Sequence, residues 1–255
     1  MVIDLSQPAG VVFLLVSGLL AGAVNAVAGG GSLLVFPALL AVGFPPLAAN
    51  VTNSVAQWPG YVGLVLGARR DLPGQGRRIV GTAIVAALGA GVGAALLLVL
   101  PASVFDAVVP VLVILASLTM AVGPRLKRVL GNPAGGERDR SAALLVAVFL
   151  AAVYGGYFGG ALGVVLISVL ALFAHDELRR LNALKGVLSL VVASVTVVVF
   201  SIGAPVDWLA VVLLAPTTLV GGYLGALVAR RMPETVLRWA VVLLGLAVGV
   251  TLFFQ

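Results

Sequence analysis

Lys185 lies inside the apolar run 180–202, roughly 7 to 10 Å along it if helical. A cation there either snorkels back to the interface or draws an anion toward the membrane centre. Asn50, Thr52, Asn53, Ser54 and Gln57 crowd the first turns of another apolar segment, 46–68. An unpartnered amide is costly in lipid, so these groups are expected to face protein or water. Asn50 suits a helix cap; Asn53 and Gln57, one turn apart, suit donation to a bound group. Ahead of them, Ala28-Gly29-Gly30-Gly31-Ser32 interrupts the run 11–42. Non-helical backbone at membrane depth survives only inside protein or beside water. A short helix starting at Ser32, capped by its hydroxyl, would aim free N–H groups and a positive dipole end at an anion. Asn25, Tyr157 and Asn182 complete the set of candidate donors.

Other chemistries lack their residues. No Asp or Glu lies within an apolar run; Asp106, Asp176, Glu177, Asp207 and Glu234 fall in loops or at segment ends. Carboxylate relays and sodium cages at mid-membrane are therefore not expected. His175, the one histidine, sits in a charged turn, and there is no cysteine, so neither a disulfide nor a thiolate metal site is available. No paired carboxylates or Cys/His dyad suggest an enzyme, and no cofactor or metal is expected. Gly155-Gly156-Tyr157-Phe158-Gly159-Gly160 fails as a nucleotide fingerprint, since no strand precedes it. The cavity implied is neutral to positive and favours a small anion.

The elements that must hold these groups are membrane helices. The chain has 255 residues, 62% hydrophobic and 9% charged. Apolar segments fall at 11–42 (broken), 46–68, 78–100, 103–123, 141–174 (broken), 180–202, 208–229 and 235–254. So few charges could not cover a water-facing surface. The net charge of +6 comes from loop residues, which report orientation rather than nucleic-acid binding.

A constant offset of 132 pairs Gly31 with Gly163, Asn50 with Asn182, Pro73 with Pro205, Gly89 with Gly221, Gly93 with Gly225 and Pro101 with Pro233. Asn53 falls on Lys185. This reads as an internal duplication, with residues 1–123 and 141–255 as two membrane repeats and 124–140 as a cytoplasmic linker. Arg69, Arg70, Arg77 and Arg78; Arg125, Lys127, Arg128, Arg138 and Arg140; Arg179 and Arg180; and Arg230, Arg231 and Arg238 form four basic clusters. The positive-inside rule places them in the cytoplasm and both termini outside. The N-terminal run lacks the basic flank of a cleavable signal and is expected to be retained. Each half then has a glycine-broken, re-entrant hairpin plus three crossings, an odd number. The expected fold is all-α, with two inverted-topology repeats whose breaks meet at the substrate. Gly89 to Gly93 and Gly221 to Gly225 are assigned to helix packing.

With these features in view, the chain resembles the TauE/SafE sulfite exporter family of membrane permeases. The resemblance rests on Gly22-Ala23-Val24-Asn25-Ala26-Val27-Ala28-Gly29-Gly30-Gly31-Ser32, then Pro37 to Leu40, then Ala48-Ala49-Asn50-Val51-Thr52-Asn53-Ser54, with an echo at Gly155 to Gly163 and Asn182 to Gly186. It implies a carrier in the bacterial inner membrane for sulfur-containing anions such as sulfite or sulfonates. An anion channel on the same frame, a carboxylate carrier and a purely structural membrane partner are the alternatives. Oligomeric state is not readable from the sequence.

Overall fold

The computed structural model describes residues 8–130, 141–174, 176–228 and 234–253. The termini, Arg138, Arg140, His175, Arg230 and Arg231, on which the sequence places expectations, lie outside the described residues. Among the described residues the fold is all-helical, with no strand: α1 (Pro8–Val27), α2 (Ser32–Ala41), α3 (Pro46–Ala68), a 3-10 turn (Arg69–Asp71), α4 (Gly76–Val99), α5 (Ala102–Leu130), α6 (Ser141–Tyr157), α7 (Leu162–Phe173), α8 (Leu178–Gly203), α9 (Trp208–Val228) and α10 (Glu234–Phe253). Five of these are long and apolar enough to cross a membrane. The spanning length of α3 matches theirs, but its amides lower its hydropathy. Val80, Ile84 and Leu88 of α4 and Val146 and Leu150 of α6 are exposed, as expected of a surface solvated by lipid.

Both breaks fall where the glycines predict. Gly29 and Gly159 have positive φ, 86° and 77°, a region open to glycine at no steric cost. Ala161, the residue before α7, is the one described non-glycine with positive φ, at 54°. Two boundaries differ from expectation. The fifth helix continues through Gly123 and Pro124 to Leu130, because Arg125 to Leu130 are good helix formers once past the proline. Asn50 is not a cap: α3 starts at Pro46, proline being preorganised for the first helical position.

Small residues set the helix directions. Gly18 and Gly22 of α1 abut Thr217, Thr218 and Gly222 of α9, and Gly60, Gly63 and Gly67 of α3 abut Thr218, Leu219 and Ala226. Contacts advance in step, so α1, α3 and α9 run parallel. Gly89 and Gly93 of α4 meet the Phe149 and Val153 carbonyls of α6 in the same sense. At one end of the molecule α4 and α8 are joined through Gln75 and Arg180, and at the other Gly203 meets Leu98, so these two are parallel as well. The two triplets oppose each other: Gly186 of α8 packs on Leu64 of α3, Ser194 accepts from Trp58, and the Asp207 N–H donates to Thr52. Thus α9 completes a layer with two helices of the first half, and α4 completes one with two of the second. Gly89, Gly93, Gly221 and Gly225 have the packing role assigned to them, whereas Gly91 meets nothing within 4 Å.

Candidate functional site

A helix end leaves carbonyls without partners, and at each break the opposite half of the chain supplies them. At the end of α1, Lys185 Nζ donates to the Asn25 carbonyl at 3.1 Å and Asn182 Nδ2 to the Ala26 carbonyl at 3.4 Å. Lys185 is 1% exposed, so it does not snorkel to the interface. Its cation meets the negative end of the α1 dipole. At the end of α6, Asn50 Nδ2 donates to the Tyr157 carbonyl at 3.0 Å. Asn50 Oδ1 is buried without a donor. The Tyr154 hydroxyl bridges the same break to the Gly160 carbonyl.

The first break is also tied down by amides. Asn25 Oδ1 accepts the Gly31 N–H at 2.7 Å, Asn25 Nδ2 donates to Gln57 Oε1 at 2.7 Å, and Gln57 Nε2 donates to Asn53 Oδ1 at 3.2 Å. All three side chains are buried. Ser32 is the first residue of α2 and makes no cap; Gly31 holds that position. The Leu33 N–H bonds the Gly30 carbonyl and the Leu34 N–H that of Gly31. Of the N–H groups expected to face an anion, that of Gly29 bonds the Val24 carbonyl and that of Gly31 the Asn25 side chain, both within the break. Gly30 lies against Met120, and Gly31 against the Ala21 carbonyl and Asn25.

Between the breaks is a small cavity of about 20 Å³ with Ser32, Ser54, Gln57, Tyr61, Ser189 and Thr196 among its lining residues. It holds about one water molecule and is too small for a sulfur oxyanion. Gly155 and Gly159 of the second break also line it. Ser189 Oγ is buried with no partner, and the Tyr61 hydroxyl contacts Ser32 and Asn25. Of the expected donors, Ser32 and Gln57 reach this cavity. Asn25, Asn50, Asn182 and Lys185 are not among its lining residues and hold the backbone; Asn53, also outside the lining, accepts from Gln57, and the Tyr157 ring packs toward Phe105 at 5.9 Å. The sequence reading missed Tyr61, Ser189 and Thr196. Their signal was helical spacing: Gln57 and Tyr61 follow Asn53 on α3, while Ser189 and Thr196 follow Asn182 and Lys185 on α8.

Away from this cavity, charged residues of the two halves meet at one end. Asp176 bridges Arg78 and Arg180, each at 2.8 Å, and Asp71, buried, pairs with Arg179 at 3.0 Å.

No solved structure matches the chain. A probable membrane transporter protein of Haemophilus influenzae is 26% identical over 89% of this chain and 88% of its own length. The probable membrane transporter protein YfcA of Escherichia coli K12 is 28% identical over 84% and 77%. Another, ORF9 of a Sinorhizobium species, is 29% identical over 59% and 57%. The sequence profile described as sulfite exporter TauE/SafE matches residues 14–252, nearly the whole chain with both breaks inside it. The chain therefore belongs to the TauE/SafE family of membrane transporters.

Proposed function

We propose that the protein is a secondary carrier that exports small sulfur-containing anions, such as sulfite or sulfonates, by alternating access. The observation that carries this reading is the hydroxyl-lined cavity where two broken hairpins, one from each half, come together. Inverted-topology repeats account for the arrangement, since the triplet α1, α3 and α9 opposes α6, α8 and α4, their counterparts under the offset of 132. In such carriers the substrate sits where the broken helices meet, and the two units rock around it.

Ser32, Tyr61 and Ser189 can donate hydroxyl hydrogens to an oxyanion, and Gln57 can turn an amide N–H toward it; the hydroxyls of Ser54 and Thr196 donate to the Asn50 and Ala193 carbonyls. Gly29, Gly30 and Gly31 allow the backbone of the first break to come close. Lys185, bonded to the Asn25 carbonyl, adds positive charge at the first break, and Asn25, Asn50, Asn53, Asn182 and the Tyr157 backbone keep both breaks in register. Separation of the lining helices enlarges the cavity to admit the substrate. The ion pair of Asp71, in the turn after α3, with Arg179 of α8 joins the two triplets and forms the cytoplasmic gate, which breaks in the inward-open state. An inside-negative potential assists anion exit by about 2.3 kcal/mol per charge per 100 mV.

Purified protein in liposomes tests this through flux of labelled sulfite and a small sulfonate under an imposed potential. Saturable flux reduced by Ser32→Ala and by Lys185→Ala is the expected result. Linear, non-saturating current would make the protein a channel, and selective flux of carboxylates would move the substrate class.

A further inference from the structure

At the same end as the ion pairs, α4 and α6 diverge from their close contact at Gly89 and open a pocket of about 410 Å³. Its polar wall comprises Gln75, Arg77, Arg78, Thr82 and Asp176, and its apolar floor Leu144 and Leu145. Arg78 and Arg180 both pair with Asp176, and Arg77 is exposed beside them. With Arg77, Arg78, Arg179 and Arg180 set against Asp71, Asp176 and Glu177, the local charge is positive. The first turn of α4, which no side chain caps, adds its dipole to the same wall.

Gln75 gives an independent sign of a ligand. It is 3% exposed, and its Nε2 donates to the carbonyls of Asp71 at 2.9 Å and Arg180 at 3.2 Å. Those two bonds fix which way the amide points, because only nitrogen can serve carbonyls. Its Oε1 therefore remains an acceptor, buried and without a donor. A buried acceptor of this kind normally has a partner.

We propose that this pocket binds a phosphate group borne by a molecule with a neighbouring hydroxyl, the chemistry of an anionic glycerophospholipid headgroup. The phosphate meets Arg77, Arg78 and the start of α4, and the hydroxyl donates to Gln75 Oε1. Leu144 and Leu145 then lead to the outward row Val80, Ile84 and Leu88, along which an acyl chain can lie. A soluble phosphate ester shares the polar chemistry but has no use for that row.

The test uses the purified full-length chain in detergent, titrated with phosphatidylglycerol, phosphatidylmethanol, phosphatidylcholine or inorganic phosphate, with lipid retention read by native mass spectrometry and thermal stability in parallel. Phosphatidylglycerol should be retained above phosphatidylmethanol, which has the charge without the hydroxyl, and both above phosphatidylcholine. Arg77→Gln, at an exposed position, should weaken phosphatidylglycerol binding about fivefold, and Arg70→Gln, outside the pocket, should leave it unchanged. Protection by inorganic phosphate that equals the lipid's and is lost in Arg77→Gln would keep the phosphate site but assign it to a soluble ester. Equal retention of all three lipids, or equal effects of the two arginine substitutions, would overturn the proposal. None of these readouts depends on transport.

Discussion

Gly29 and Gly163 touch through their backbones: a methyl group built on Gly29 would sit 2.6 Å from the Gly163 carbonyl carbon, and one on Gly163 2.5 Å from the Gly29 Cα. The two halves of the chain therefore meet at their breaks with no side chain between them. Gly29→Ala combines left-handed strain with this overlap and should cost more than about 2 kcal/mol. Gly163→Ala, which carries the overlap alone, should cost about 1–3 kcal/mol. Gly91→Ala, in open space within α4, should be neutral or slightly stabilising. Thermal unfolding of the three variants in detergent checks the order; equal melting temperatures would contradict the contact.

Lys185→Met removes the donor from the Asn25 carbonyl along with the charge behind the cavity. An orphaned buried carbonyl costs about 1–3 kcal/mol, so a lowered melting temperature should accompany a loss of flux. Asn182→Leu breaks only the longer bond to Ala26 and should cost less. A Lys185→Met protein as stable as the wild type would mean that the lysine does not support α1.

Asn25 and Gln57 form the middle of an amide chain running from the Gly31 N–H to Asn53. Once Asn25→Ala has severed it, Gln57→Ala has less left to remove. The double variant should be destabilised by about 0.5–3 kcal/mol less than the sum of the single losses. Strict additivity in denaturant or thermal unfolding would show that the bonds act separately.

Asp71→Asn should loosen the gate. An ion pair whose arginine is exposed contributes at most about 1 kcal/mol, so the inward-open population should rise by up to about fivefold. The chain has no cysteine, so Ser189→Cys is a sole target at the cavity wall. Its modification by a membrane-impermeant maleimide, added to the face bearing Asp71 and Arg179, should speed up by that factor in the Asp71→Asn background. Unchanged labelling would remove this pair from the gate.

Helix boundaries were legible because Pro and Gly punctuate long apolar runs; Gly123-Pro124 misled because a helix outside the bilayer follows its own propensity. The glycines of both breaks and the depth of Lys185 were legible too. Its partner was not, because the Asn25 carbonyl is a backbone atom and has no signature in residue type. Nor could periodicity reveal that α9 lies with α1 and α3, since that layer depends on which small-residue faces meet. Ser32 looked like a cap, but the Asn25 side chain six residues back takes the Gly31 N–H, a choice only the turn at Gly29 permits.

The reciprocal ties at the two breaks bear on the order in which the protein can be made. A ribosome delivers α1 long before α8, and the Asn25 and Ala26 carbonyls wait for Asn182 and Lys185, more than 150 residues downstream. Asn50 likewise waits for the end of α6. The first half thus enters the bilayer with its break uncapped, and a chain truncated before α8 would present that polar gap to lipid or to the cell's quality control. The arrival of α8 is itself the step that seals the centre of the molecule.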